Sequence, residues 1–111
     1  MSNEENMGRW IKIAQKTSFP KTGGMCTEIE GKRIALFRVT GKFYAIDDLC
    51  RHRGGPLSEG VLDANVVSCP WHGFLFDVTT GSCATNPALK QTMYPVKTEG
   101  DDIYIEVATQ T

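Results

Sequence analysis

Residues 27–47, Thr-Glu-Ile-Glu-Gly-Lys-Arg-Ile-Ala-Leu-Phe-Arg-Val-Thr-Gly-Lys-Phe-Tyr-Ala-Ile-Asp, read as three short β-patterned runs separated by two glycine turns. Thr27–Glu30 meets Arg33–Val39 through Gly31-Lys32, and Val39 turns at Thr40-Gly41 into Lys42–Asp47. In the last run Phe43 and Ala45 fall on one face and Tyr44 and Ile46 on the other, as the two-residue period of a strand requires.

The same grammar continues on both sides. Trp10–Ala14 alternates and opens the domain, and Val66–Ser68 is a short strand leading straight into Cys69. Phe74–Val78 follows and ends at Thr79-Thr80-Gly81, and Met93–Thr98 with Ile103–Val107 reads as a last hairpin around Gly100-Asp101-Asp102. No stretch holds a helical period over ten or more residues. The expected fold is all-β, built of small antiparallel sheets. The 111 residues fit one domain, 1–111, without repeats or an internal linker. A core of that size is marginal, so a bound metal centre would add useful stability.

The net charge of -1 and pI near 6.1 argue against nucleic acid or an anionic membrane as the partner. Met1–Gly8 is polar, with neither a basic start nor an apolar run, so no secretory signal is expected. The apolar runs are too short to span a membrane. The expectation is a soluble cytoplasmic protein. In such a reducing setting, disulfides among the four Cys lose ground.

Two segments resist strand assignment, Leu49–Leu62 and Pro70–Gly73, and they hold the ligand-type residues. The pattern is Cys50-Arg51-His52, sixteen residues, then Cys69-Pro70-Trp71-His72, which uses both histidines of the chain. Two thiolates and two imidazoles suit zinc or an iron–sulfur cluster. Zinc sites usually pair two Cys within one turn and supply the His pair later. Here each loop gives one Cys and one His, which suits a two-iron cluster with one iron on both Cys and the other on both His.

With these motifs the sequence resembles the Rieske family, whose signature is C-x-H, a gap of about this length, then C-x-x-H. The likeness covers Cys50-Arg51-His52-Arg53-Gly54-Gly55-Pro56-Leu57, Cys69-Pro70-Trp71-His72-Gly73, Phe76-Asp77 and Thr80-Gly81. It extends to Ala45-Ile46-Asp47 and Tyr94-Pro95-Val96. The resemblance implies a Rieske-like antiparallel β-sandwich with a cluster-binding subdomain at about residues 48–88. It implies one [2Fe–2S] cluster on Cys50, His52, Cys69 and His72. Gly54, Gly55 and Gly73 would let backbone N–H groups approach the cluster sulfurs, although turn geometry alone also explains them. Pro87, in Asn86-Pro87-Ala88, matches a third loop that covers the cluster in the family. Trp71 either shields the cluster or belongs to a docking surface, with core packing the plainer alternative. Arg51 and Arg53 either steer an acidic partner or are ordinary surface charge.

Charge counting explains the chemistry such a site would supply. Two ferric ions, two sulfides and two thiolates sum to zero beside neutral His, so an added electron leaves one negative charge. An all-Cys cluster starts more negative, so the His pair raises the potential into a window of about −150 to +300 mV. High-potential respiratory members carry a disulfide between the two ligand loops. The matching positions here are Gly55 and Trp71, so it cannot form. Those members also place Ser and Tyr hydroxyls near the cluster, where this chain has Phe74 and Phe76. Fewer donors stabilise the added electron less, which predicts a potential of about −150 to −100 mV.

The function implied by the resemblance is that of a stand-alone ferredoxin, an electron carrier with no substrate chemistry of its own. It would take electrons from a flavin-dependent, NAD(P)H-fed ferredoxin reductase and pass them to a terminal oxygenase of the aromatic-ring-hydroxylating type. A monomer suits a diffusing carrier. Alternatives are the small subunit of an NAD(P)H nitrite reductase, a zinc-stabilised interaction module and a cluster-based redox sensor. Cys26 and Cys83 match no ligand position and default to structural or free thiols. Asp47, Asp48 and Asp77 read as turn caps and loop support rather than an acid/base set.

Overall fold

The structure, a computed structural model, describes residues 9–21, 23–50, 54–71 and 73–107. The strands are β1 (Arg9–Gln15), β2 (Gly24–Ile29), β3 (Lys32–Val39), β4 (Lys42–Asp47), β5 (Val61–Asp63), β6 (Val66–Ser68), β7 (Leu75–Asp77), β8 (Met93–Tyr94), β9 (Val96–Glu99) and β10 (Asp102–Val107). Single 3₁₀ turns occur at Lys16–Ser18 and Leu57–Glu59. No helix among the described residues is long and apolar enough to cross a membrane.

The two hairpins read from residues 27–47 form, with the boundaries of the first corrected. Thr40 and Gly41 have φ of 48° and 83°, and Glu30 and Gly31 have 52° and 84°. Positive φ at both central residues marks the type I′ turn, whose twist matches that of the flanking strands. The first turn is therefore Glu30-Gly31 rather than Gly31-Lys32, and β2 starts at Gly24, three residues earlier than its polarity suggests.

β2, β3, β4 and β8 form a central sheet in the order β2-β3-β4-β8. A second sheet, β1-β10-β9, covers one face of it, and a third, β5-β6-β7, packs on the other. All pairings are antiparallel. Burial on both faces explains why Ile34, Ala35, Leu36 and Phe37 are apolar without a break. Ile34, Leu36, Phe43 and Ala45 point into one core with Ile103, Ile105 and Val107. Ala35, Phe37 and Ile46 point into the other with Leu57, Val67, Phe76, Val78 and the cysteines Cys50, Cys69 and Cys83. The second core holds both candidate cysteine ligands.

Two expectations are corrected. Met93–Thr98 is not one strand. Pro95 has no N–H to give a ladder, so the chain breaks there, with β8 pairing to β4 and β9 to β10. Val61–Asp63, whose first two residues fall in the Leu49–Leu62 segment read as non-strand, is β5, paired to β6 through Leu62↔Val67. Its turn is hidden because Ala64 holds φ of 57°, a role glycine usually takes. Elsewhere the ends shift by a residue or two. Trp10–Ala14 extends to Arg9–Gln15 with an irregularity between Lys12 and Ala14, and Phe74–Val78 shortens to Leu75–Asp77.

Ala64 supplies a direct prediction. Its side chain is strained at that φ and exposed, so Ala64→Gly is expected to stabilise the protein by about 1 kcal/mol. A urea midpoint that rises at unchanged slope supports this; an unchanged or lower midpoint contradicts it.

Candidate metal centre

Cys50 and Cys69 begin two turns closed in the same way. In the first, the Cys50 N–H donates to the Gly55 carbonyl at 2.8 Å and the Gly54 N–H donates to the Cys50 carbonyl at 2.7 Å. In the second, the Cys69 N–H donates to the Phe74 carbonyl at 2.7 Å and the Gly73 N–H to the Cys69 carbonyl at 2.9 Å. The chain returns at the same interval both times, four residues on for the glycine amide and five for the accepting carbonyl. That return needs the left-handed backbone at Gly54 and Gly73, whose φ are 80° and 73°. The glycines are thus turn formers. Both cysteines are buried, 3% and 2% exposed, and neither is in a disulfide.

The two turns face each other. A Cβ placed on Gly55 would lie 2.8 Å from the Cys69 Sγ and 3.0 Å from the Trp71 Cγ. The Cys69 sulfur therefore lies against the backbone of the first turn, and the Trp71 ring packs on the same spot. Trp71 is 59% exposed, so its contact with Gly55 leaves most of the ring to water. Leu49, next to Cys50, is also exposed.

The remaining residues singled out from the sequence fall as follows. Phe76 is fully buried in the cysteine-bearing core and Phe74 packs against it. Pro87 is exposed in a turn where the Ala88 N–H donates to the Asn86 Oδ1 at 3.0 Å. Cys83 is buried with its Sγ 3.3 Å from the Thr85 hydroxyl. Burial and the Asp48 carboxylate push the Cys26 thiol up, which keeps it protonated, and it donates to Asp48 at 3.6 Å. Arg51, His52, Arg53 and His72 lie outside the described residues.

Three side chains fix the first turn from below. Asp48 is fully buried, and a buried carboxylate is costly unless paired. Its Oδ2 accepts from the Arg33 guanidinium at 3.0 and 3.2 Å, and its Oδ1 accepts from the Ser58 N–H at 2.8 Å. Its own carbonyl accepts from the Leu57 N–H at 2.7 Å. One residue thus ties both ends of the segment carrying Cys50. Leu57, with no exposed surface, plugs that segment into the core. Buried Gln91 donates from Nε2 to the carbonyls of Asp47 at 2.8 Å and Leu49 at 3.1 Å, holding the chain as it enters the turn. Asp47 accepts from the Tyr94 hydroxyl at 2.5 Å, and burial with that carboxylate pushes the Tyr94 hydroxyl well up. Asp77 is a turn cap, accepting from the Thr79 N–H at 2.8 Å. Asp48 was expected as loop support. Arg33, Gln91 and Tyr94 were not anticipated, because nothing in their spacing places them beside Cys50.

The donor set fits a soft, thiolate-taking group. Two buried thiols sit on rigid turns in one core, and the glycine opposite Cys69 leaves room for its sulfur. Among the described residues alone, no three His, Cys, Asp or Glu side chains gather as a metal site.

The Rieske [2Fe-2S] domain model matches residues 9–105, and the chain belongs to that family. Its members bind a [2Fe–2S] cluster. The chain is 35% identical over 101 residues to the ferredoxin component of the naphthalene 1,2-dioxygenase system of Pseudomonas aeruginosa, covering 90% of this chain and 97% of that one. A solved complex of reduced oxygenase and oxidized ferredoxin in carbazole 1,9a-dioxygenase contains a chain of the same fold. The TM-score is 0.78 at 30% identity, over 86% of this chain and 99% of that one. A putative NADH-dependent nitrite reductase small subunit from Mycobacterium tuberculosis superposes with a TM-score of 0.83 at 20% identity, over 90% of this chain and 96% of that one. At that identity the likeness concerns the fold alone.

Proposed function

We propose that this protein is a ferredoxin, a small electron carrier that holds one cluster on Cys50, His52, Cys69 and His72 as a single Rieske domain. A bound cluster of this kind supplies one-electron transfer. The observation that carries the reading is the matched pair of glycine-closed turns, which bury the Cys50 and Cys69 thiols and bring the Cys69 sulfur against Gly55. The protein's own part is to hold the ligands. Glycine turns fix the backbone at each Cys, Asp48 and Gln91 hold the first turn, and the core below excludes water from the cysteine side. Electrons would leave through the histidine ligands, His52 and His72.

The donor is a flavin-dependent reductase fed by NAD(P)H, and the acceptor a terminal oxygenase of the aromatic-ring-hydroxylating type. The relative's place in the naphthalene 1,2-dioxygenase system and the oxygenase–ferredoxin complex support the acceptor. Four cysteines with no disulfide between them suit a cytoplasmic setting. In the nitrite reductase reading the chain would be a subunit of a larger enzyme. The complete Cys/His quartet and the ferredoxin relatives favour the carrier.

Phe74 and Phe76 bring no hydroxyl to the site, and Trp71 fills the position from which a disulfide to residue 55 would be made. The potential is therefore expected at about −150 to −100 mV. A redox titration with a clearly positive midpoint contradicts this. The role itself is tested by reducing the protein with a flavin reductase and NADH, then reoxidising it with an oxygenase. Failure of both steps in an iron-loaded protein excludes the carrier role.

A further inference from the structure

Among the described residues, Asp48 is a fully buried charge beside the candidate ligand loop, and a role as a hydrogen-bonding brace does not use that charge. Asp48 stands two residues before Cys50 with none of its surface in water. Its partner Arg33 leaves the core, with 42% of its side chain exposed. The pair is therefore unevenly screened. Water weakens the field of the guanidinium, whereas the carboxylate acts through the protein interior, where charges interact more strongly. The pair thus adds a partly compensated negative charge to the field at the turn. A group that gains an electron there is opposed by it.

We infer that the Arg33–Asp48 pair sets the reduction potential of the group held at Cys50, with Asp48 lowering it and Arg33 limiting how far. Asp48 is a positioning residue as well, since it bonds Ser58 and Leu57 across the ligand segment. The two roles predict different things. Loss of positioning loosens the same segment whichever partner is changed, so both variants would move the potential in one direction or lose the cluster. Loss of charge moves the potential oppositely in the two variants. This inference rests on the carrier reading.

The test is a redox titration of iron-loaded wild type, Asp48→Asn, Arg33→Gln and Arg33→Lys at one pH and salt concentration. Asp48→Asn keeps the size and one acceptor but removes the negative charge, so the midpoint rises. Arg33→Gln removes the compensating charge, so the midpoint falls. Arg33→Lys keeps the charge and stays near wild type. The expected change is at least about threefold in the reduction equilibrium each way, ~28 mV at 59 mV per tenfold for one electron. Shifts of the same sign, or none, overturn the inference while leaving the carrier reading intact. If Asp48→Asn does not load a cluster, the arginine pair decides. A fall with Gln restored by Lys supports the inference, and any other pattern overturns it. Wild type that holds no cluster overturns the carrier reading and this inference together.

Discussion

Cys69→Ala is expected to give a colourless protein with little iron and no acid-labile sulfide. Cys69 is 2% exposed, its backbone is fixed at both N–H and carbonyl, and its sulfur lies against the opposite turn at Gly55. Cys83, the other buried thiol outside the candidate quartet, faces Thr85. Changing a residue that merely supports a metal ligand costs about 10–100-fold in affinity, so removing a ligand costs more. The same holds for Cys50→Ala. Cys26→Ala is the matched control and should retain wild-type iron, since its thiol points to Asp48. Iron and visible absorption of purified proteins check this. Wild-type colour in Cys69→Ala would refute the ligand assignment.

The second large effect is expected from a methyl group at Gly55. Its Cβ would meet the Cys69 sulfur at 2.8 Å and the Trp71 ring at 3.0 Å, closer than van der Waals contact allows. The ring has room to move because it is largely exposed, but the sulfur cannot move and still serve as a ligand. Gly55→Ala is therefore expected to cut cluster content several-fold and to cost about 1–3 kcal/mol from overpacking. Gly41→Ala isolates the effect. That glycine has φ of 83° and open space around it, far from either ligand turn in sequence. It should cost about 1 kcal/mol through backbone strain with cluster content unchanged. Thermal melts and iron assays separate the two. Equal iron in Gly55→Ala and wild type would show that the turns do not press together as described.

The parts of the fold legible in the sequence are those governed by local chemistry. The turn at Thr40-Gly41 and the two-residue period of β4 are local properties, and both were readable. Ala64 takes a left-handed conformation with no glycine to announce it, so β5 went unseen. Pro95 did announce the break between β8 and β9, since a residue without an N–H interrupts a ladder. An unbroken strand was nevertheless the simpler reading of the flanking pattern. β3 was readable as a strand, but its burial on both faces depends on two sheets that only the folded chain brings to it.

For the site, the motif spacing named Cys50, His52, Cys69 and His72; the structure places the two cysteines in matched turns, and the two histidines lie outside the described residues. The bracing residues were hidden for a physical reason. Arg33 and Gln91 reach the first turn from distant points in the chain, and the need for them arises only once Asp48 and the Asp47 and Leu49 carbonyls are covered by the core. Trp71 had three readings, shield, docking surface or core packing, and at 59% exposed it is not a core residue. The contact with Gly55 ties its ring across the two turns, while its exposure leaves one side open to a partner.

The most direct test of the carrier account is the metal and sulfide content of the protein purified without added metal. The account predicts about two iron and two acid-labile sulfide per chain, in a red-brown protein that is bleached by one electron. Colourless protein with one zinc per chain and no sulfide would contradict it.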